Sequence, residues 1–320
     1  MKKISPSNRI LVTGSKGQLG GELLQQGRRF GFDVVGIDIE ELDITNINAV
    51  ETYFDKIDVS VVINAAAYTA VDQAESEPEF AFAVNKQGPA NLATLCNYHG
   101  IPLIHISTDY VFDGTKNKAY EESDPVSPVG AYSHSKAQGE KEIIKQATKY
   151  IIIRTAWLYG VQGNNFVNTM LRLGRERKEL KVVNDQKGCP TYAQDLAAAV
   201  LSICQQLQPG EETALWGIYH YCGKGDTTWY EFARKVFEVA SKYEEMAIHS
   251  VLPISTNEYP TPAVRPANSV LDCKKIEKVF GLKRKPWEES LESMLKRLYT
   301  ETNIGESSNY TKNIQGSKDA

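Results

Sequence analysis

The stretch Arg9-Ile10-Leu11-Val12-Thr13-Gly14-Ser15-Lys16-Gly17-Gln18-Leu19-Gly20 decides how the chain begins to fold. Its first five residues are an apolar run of buried-strand length, and Gln18 and Leu19 open a segment with helical periodicity. Between them, Gly14, Gly17 and Gly20 recur every third residue and let the backbone turn sharply and approach a bound group closely. A pyrophosphate at such a loop meets the free N–H groups and positive dipole end of the following helix. Strand, glycine loop and helix in this order predict an α/β protein with a Rossmann-type doubly wound parallel sheet. A glycine-rich turn without a ligand is the competing reading, and the residues that follow bear on it.

Residues 33–38, 59–64, 102–107 and 150–154 are further buried runs, separated by helical patterns at 18–30, 47–56, 78–99 and 132–146. That alternation is the mark of a parallel sheet whose strands all end at one edge, where open α/β folds collect their ligands. Past residue 155 the pattern changes to helices at 165–177, 193–206, 228–241 and 287–300, joined by longer loops rich in Gly and Pro. The third of these carries a capping-box signature, Thr228-x-x-Glu231, and the fourth follows Pro286. Accordingly, residues 1–155 are expected to form a dinucleotide-binding domain. Residues 156–303 form a smaller, mainly substrate-binding lobe interleaved with the last strands of the sheet. Residues 304–320, polar and almost without large apolar side chains, read as a disordered tail.

A chain of 320 residues with 42% apolar and 24% charged residues can bury a sizeable core. A net charge of -4 supplies no basic field for nucleic acid or an anionic membrane, and no stretch has the length of a membrane span. Near the start, Lys2 and Lys3 are followed by polar residues rather than an apolar leader. Five cysteines without Cys-x-x-Cys spacing indicate neither a disulfide framework nor a zinc site, so a cytoplasmic location is expected.

Asp38 ends the second strand and is placed to accept hydrogen bonds from an adenosine ribose, which favours NAD over NADP. Lys16 opposes that preference as a partner for a 2′-phosphate, so NADPH and NADH both stay open. Asp43 and Ile44 suit contact with an adenine edge, or equally the approach to a helix cap before Ile47. After the third strand, Asn64-Ala65-Ala66-Ala67-Tyr68-Thr69 offers small residues against which the nicotinamide side of a dinucleotide can lie; tight packing is the bland alternative.

Chemistry points to Thr108, at the end of the fourth strand, and to Tyr132-Ser133-His134-Ser135-Lys136. Positions i and i+4 share a helix face, and an ammonium beside a phenol lowers its pKa from about 10. Tyr-x-x-x-Lys alone is a weak motif. In order after the glycine loop, Asn64-Ala65-Ala66 and Ser107-Thr108-Asp109, it makes the chain resemble the extended short-chain dehydrogenase/reductase family over residues 8–300. Within that family, the stretches 64–72, 107–112, 163–166 and 261–266 resemble the 4-ketosugar reductases of dTDP-L-rhamnose synthesis.

The resemblance implies reduction of a dTDP-sugar ketone at C4, with Tyr132 giving the proton, Lys136 lowering the phenol pKa and binding the nicotinamide ribose, and Thr108 orienting the carbonyl. It also implies substrate contacts at Asp109, Trp157, Asn165, Phe166 and Arg265, the last toward the diphosphate; a surface ion pair is the plainer reading of Arg265. Residues 186–191 resemble stretches lining the nucleotide pocket. Ser133 stands where the family commonly has glycine, and His134 reads as facing solvent. Mg2+ dependence is associated with the family, though no ligand cluster in the sequence fixes a metal. A homodimer is open to it, the sequence giving no oligomeric state. A 4,6-dehydratase would need a carboxylate where Tyr110 stands. A 4-epimerase, a reductase attacking the opposite face, and a non-catalytic subunit of the methionine adenosyltransferase type remain as alternatives.

Overall fold

A computed structural model of the chain describes residues 8–207 and 215–315, with side chains through residue 301. The polar start at residues 1–7 and the last residues of the tail, 316–320, lie outside the described residues.

Six strands form a parallel sheet: β1 (Arg9–Thr13), β2 (Asp33–Ile37), β3 (Val61–Asn64), β4 (Leu103–Thr108), β5 (Tyr150–Thr155) and β10 (Gly217–His220). Their spatial order is β10-β5-β4-β3-β1-β2. The chain leaves β1 for β2 on one side and returns to place β3 on the other, which opens a crevice beyond the carboxyl ends of β1 and β3. The strands read as continuous apolar runs because both faces are covered. Ile10, Val12, Ile151 and Ile153 face the cluster holding Leu19, Leu23, Leu196 and Val200, from α1 (Gln18–Gly27) and α7 (Ala193–Gln206). Leu11, Val62 and Ile152 face the opposite cluster, with Val50 and Phe54 of α2 (Ile47–Phe54) and Leu92 and Leu95 of α4 (Gly88–His99).

The periodicity at 78–99 predicts one regular helix, and the structure divides it. After α3 (Pro78–Phe82), residues Ala83–Gln87 form a π-helical turn before α4 begins. Such turns widen a helix locally and often accompany functional sites. Here the turn brings Asn85 against α5 (Ala131–Gln146), where its carbonyl oxygen lies so near Gly139 that a Cβ there would come within 2.1 Å.

The second half builds a smaller lobe from two-stranded pairings. β6 (Leu158–Tyr159) pairs with β9 (Thr191–Tyr192), β7 (Glu179–Val183) with β12 (Ser250–Ile254), and β8 (Lys187–Gly188) with β11 (Thr227–Thr228). Tyr159, Tyr192, Phe232 and Trp287 make its aromatic core, with α6 (Phe166–Glu176) and α8 (Trp229–Ala240) packed against each other. Thr228 accepts the Glu231 N–H at 3.2 Å as an N-cap, but Glu231 turns to Arg234 rather than completing the capping box. α9 (Lys274–Phe280) packs on β10, and α10 (Trp287–Gln315) closes the chain. α10 enters the stretch that composition reads as disordered, since extending a helix from packed turns costs far less than nucleating one. Among the described residues no helix is long and apolar enough to cross a membrane.

Candidate active site

A cavity of about 290 Å³ lies over the β1/β3 crevice, lined by Gly14, Gly17, Asp38, Asp43, Ile44, Ala66, Ala67 and Tyr68, among others. A second, of about 430 Å³, is lined by Gln18, Leu19, Gly20, Thr69, Thr108, Asp109, Tyr132, Lys136 and Trp157, with others. Gly17, Ala65 and Ala67 line both, so the two form one cleft along the sheet edge.

The glycines are dictated by close approach. Gly14 has φ +71°, and a Cβ on it would lie 2.6 Å from the Ala66 backbone; one on Gly20 would lie 2.2 Å from the Gly14 oxygen. Gly17 caps α1 without any side-chain hydrogen bond, so the first N–H groups of that helix are left to a bound anion. Asp38 anchors the loop by accepting the Lys16 N–H at 2.8 Å and its neighbour's, Ile39, at 2.9 Å. Lys16 itself pairs with Glu40 at 2.8 Å. Asp43 accepts from the N–H and hydroxyl of Thr45 in a local turn while still lining the cavity. This cradle of bare backbone, free helix N-terminus and ribose-height carboxylate fits a dinucleotide.

The reacting end combines β4 and α5. Tyr132 is 9% exposed and lines the cleft together with Thr108; its ring meets Tyr110 edge-on at 5.9 Å. Burial, with the nearby Asp109 carboxyl, pushes the phenol up to about 12, against the lowering by Thr108. Lys136 follows Tyr132 one turn along α5 and turns toward the strand beneath. Its Nζ, 2% exposed, donates to the Ile106 carbonyl at 2.7 Å and lies 3.4 Å from His105 Nε2. Burial brings the Lys136 ammonium down to about 8, partly offset by Glu140 one turn along α5. Asp109, also buried, accepts the Thr108 hydroxyl at 2.9 Å, and desolvation raises it to about 6.

Trp157 follows β5 with φ +48°, the one non-glycine residue with positive φ among those described. That conformation costs on the order of 1–3 kcal/mol and persists only where the surroundings enforce it. Its indole stacks on Trp229 with centroids 3.5 Å apart and lies hard against the Gly188 backbone, making an aromatic wall of the cleft. Other expected contacts lie elsewhere. Asn165 caps α6 by accepting the Asn168 N–H and donates to Gln18 at 3.0 Å, while its neighbour Asn164 lines the cleft. Phe166 stacks in the aromatic core, 5.4 Å from Phe232. Arg265 makes two hydrogen bonds to Asp72, at 2.7 and 3.1 Å.

Several supporting residues escape sequence reasoning. Asn64 Oδ1 accepts from the Thr13 hydroxyl and the Ala66 N–H, fixing the strand end beside the glycine loop. Asn85 brackets Tyr68 through both its backbone groups and donates to Ser135. Beneath them Glu140 and Arg154 form a buried pair at 2.6 Å, with Ser107 donating to Glu140. For His105 and Arg154 the signal in the sequence is a polar residue inside an apolar strand; Asn85 and Glu140, on helical turns, carry no such mark.

The profile of the family described as RmlD substrate binding domain matches residues 8–300. The dTDP-4-dehydrorhamnose reductase of Aggregatibacter actinomycetemcomitans is 44% identical over 299 residues, covering 92% of this chain and 99% of that protein. This chain belongs to the dTDP-4-dehydrorhamnose reductase family. Among solved structures, a family member from Clostridium acetobutylicum superposes with a TM-score of 0.85 at 41% identity, covering 91% of this chain and 99% of that one. Another, from Bacillus anthracis in complex with NADP, gives 0.84 at 39% identity with the same coverage. For the Mg2+ associated with dTDP-4-dehydrorhamnose reductases the structure offers no support: no group of three or more His, Cys, Asp or Glu among the described residues is arranged to hold a metal.

Proposed function

We propose that the chain reduces the C4 ketone of dTDP-4-dehydro-L-rhamnose to dTDP-L-rhamnose with NADPH or NADH. The observation that carries this reading is a buried phenol, Tyr132, lining with Thr108 and Lys136 the same cleft as the dinucleotide cradle. The cradle is Gly14, Gly17, Gln18, Leu19 and Gly20 for the pyrophosphate, Asp38, Asp43 and Ile44 for the adenosine, and 66–69 with Lys136 for the nicotinamide side. A dinucleotide bound there supplies the hydride for C4.

Tyr132, held protonated at neutral pH by burial, is the general acid that donates its proton to the alkoxide forming on O4. Thr108, between Tyr132 and Asp109, orients the carbonyl toward that proton. The raised pKa that burial gives the phenol keeps it in the protonated, donor form at neutral pH. Lys136 compensates the phenolate left behind, through its charge and its own proton. Trp157 and Trp229 supply an aromatic face for the sugar ring, and Arg265, exchanging Asp72 for the ligand, a forked donor for the diphosphate. Asp38 suits a free 2′-hydroxyl while Lys16 beside it suits a 2′-phosphate, so both cofactors are expected to serve.

Supplying dTDP-4-dehydro-L-rhamnose with each cofactor in turn, and identifying the product sugar by NMR, tests the reading. Turnover to dTDP-L-rhamnose is expected. Cofactor binding without turnover, or a product inverted at C4, would overturn it.

A further inference from the structure

Hydrogen-bond directions beneath the site settle how His105 is protonated. The Ala66 N–H can only donate, so the Asn64 side-chain atom that meets it, at 3.1 Å, is the carbonyl oxygen, which also accepts the Thr13 hydroxyl at 2.7 Å. The Asn64 amide nitrogen is therefore the atom 3.0 Å from His105 Nδ1, and it donates. Nδ1 must accept, and a neutral imidazole with an accepting Nδ1 carries its hydrogen on Nε2. His105 is fully buried, which disfavours the imidazolium, and an Nδ1–H would face the Asn64 donor.

That Nε2–H points at Lys136 Nζ, 3.4 Å away. An ammonium there sets donor against donor, whereas a neutral amine accepts the hydrogen in its lone pair. We propose that His105 is a positioning residue for the reduction, acting through Lys136: its Nε2–H stabilises the amine and so makes the Lys136 ammonium a ready proton source once Tyr132 has given up its own. The inference rests on the reductase reading of Lys136 given above. Bookkeeping is simple, one proton leaving Lys136 to make good the one lost from Tyr132, with no other bond changed.

The other charged groups around Lys136 pull differently. Tyr132 lies one turn before it on α5 and lines the same cleft, and Glu140, one turn after it, favours the ammonium; Arg154 on β5 is already paired with Glu140. Asp109, after β4, acts on Tyr132 rather than on the lysine. His105 is thus the one of these groups that presents a donor to Nζ, beside the Ile106 carbonyl that accepts from it.

Two measurements test the proposal. Nitrogen-15 NMR of histidine-labelled protein without substrate should show a bare Nδ1 and protonated Nε2 at His105 near neutral pH; the opposite tautomer or an imidazolium overturns it. Activity gives the second. In His105→Gln the amide can turn its carbonyl to Lys136, so the alkaline limb of kcat/KM should move up by about one pH unit or more while the plateau falls only a few-fold. An unmoved limb in folded His105→Gln, checked by circular dichroism, overturns the proposal. Absence of turnover in the unaltered protein would instead refute the reductase reading, and the tautomer spectrum would still decide for or against His105.

Discussion

Arg265 grips Asp72 with both terminal guanidinium nitrogens, Nη2 to Oδ2 at 2.7 Å and Nη1 to Oδ1 at 3.1 Å, and the Ala263 N–H donates to the same carboxylate. The pair ties the loop around Pro262 and Pro266 to the segment after β3. If Arg265 exchanges this partner for the sugar diphosphate, Arg265→Met should raise KM for the dTDP-sugar by about ten-fold or more, as expected for a charged hydrogen bond, and leave dinucleotide affinity unchanged. Steady-state kinetics with fluorescence titration of the cofactor checks this. A lower melting temperature with unaltered KM would reduce the pair to a structural clasp.

Asp109 should make stability pH-dependent. Burial raises its pKa from an ordinary value near 4 to about 6, so the protonated form is the one the fold favours. Its contribution is present below the ordinary value and lost as pH rises through about 6. Asp109→Asn is neutral throughout, so its stability relative to the unaltered protein should improve between pH 4 and pH 7.5 by roughly 3 kcal/mol, two units at 1.36 kcal/mol each. Denaturant titrations at several pH values measure that difference. A difference that stays flat with pH would contradict the assignment.

The Glu140–Arg154 pair is almost wholly withdrawn from water. Glu140→Gln leaves a buried guanidinium without its counter-charge and should cost about 3–5 kcal/mol. Calorimetry should show the loss as a lower melting temperature, and an unchanged one would mean that the pair relaxes toward solvent.

Gly20→Ala places a methyl 2.2 Å from the Gly14 oxygen, backbone against backbone, where neither side can yield cheaply. Dinucleotide affinity should fall more than ten-fold, because the loop must move away from the phosphates it cradles. Titration of the cofactor by fluorescence quenching reads this directly, and undiminished affinity would remove the glycine loop from the binding site.

Much of this was legible in the chain because backbone demands are written locally. Apolar runs such as Ile10 to Val12 and the glycines at 14, 17 and 20 encode strand, turn and helix by type and spacing, and the strand ends then place Asp38 and Thr108. The partners of those residues were not legible. Spacing alone puts Lys136 beside Tyr132, but burial and the Ile106 carbonyl decide where its ammonium points. The π-helical turn that delivers Asn85 has no periodic signature, and Asn165 spends its side chain on a helix cap. The strained backbone of Trp157 follows from packing between Gly188 and Trp229, which are 31 and 72 residues away along the chain.

The central claim is that Tyr132 protonates the sugar alkoxide, and Tyr132→Phe tests it most directly. With dTDP-4-dehydro-L-rhamnose and NADPH or NADH, steady-state cofactor oxidation should fall by about two to four decades in kcat while dinucleotide affinity stays essentially the same. A variant that turns over at near the unaltered rate, or that loses cofactor binding along with activity, would contradict the account.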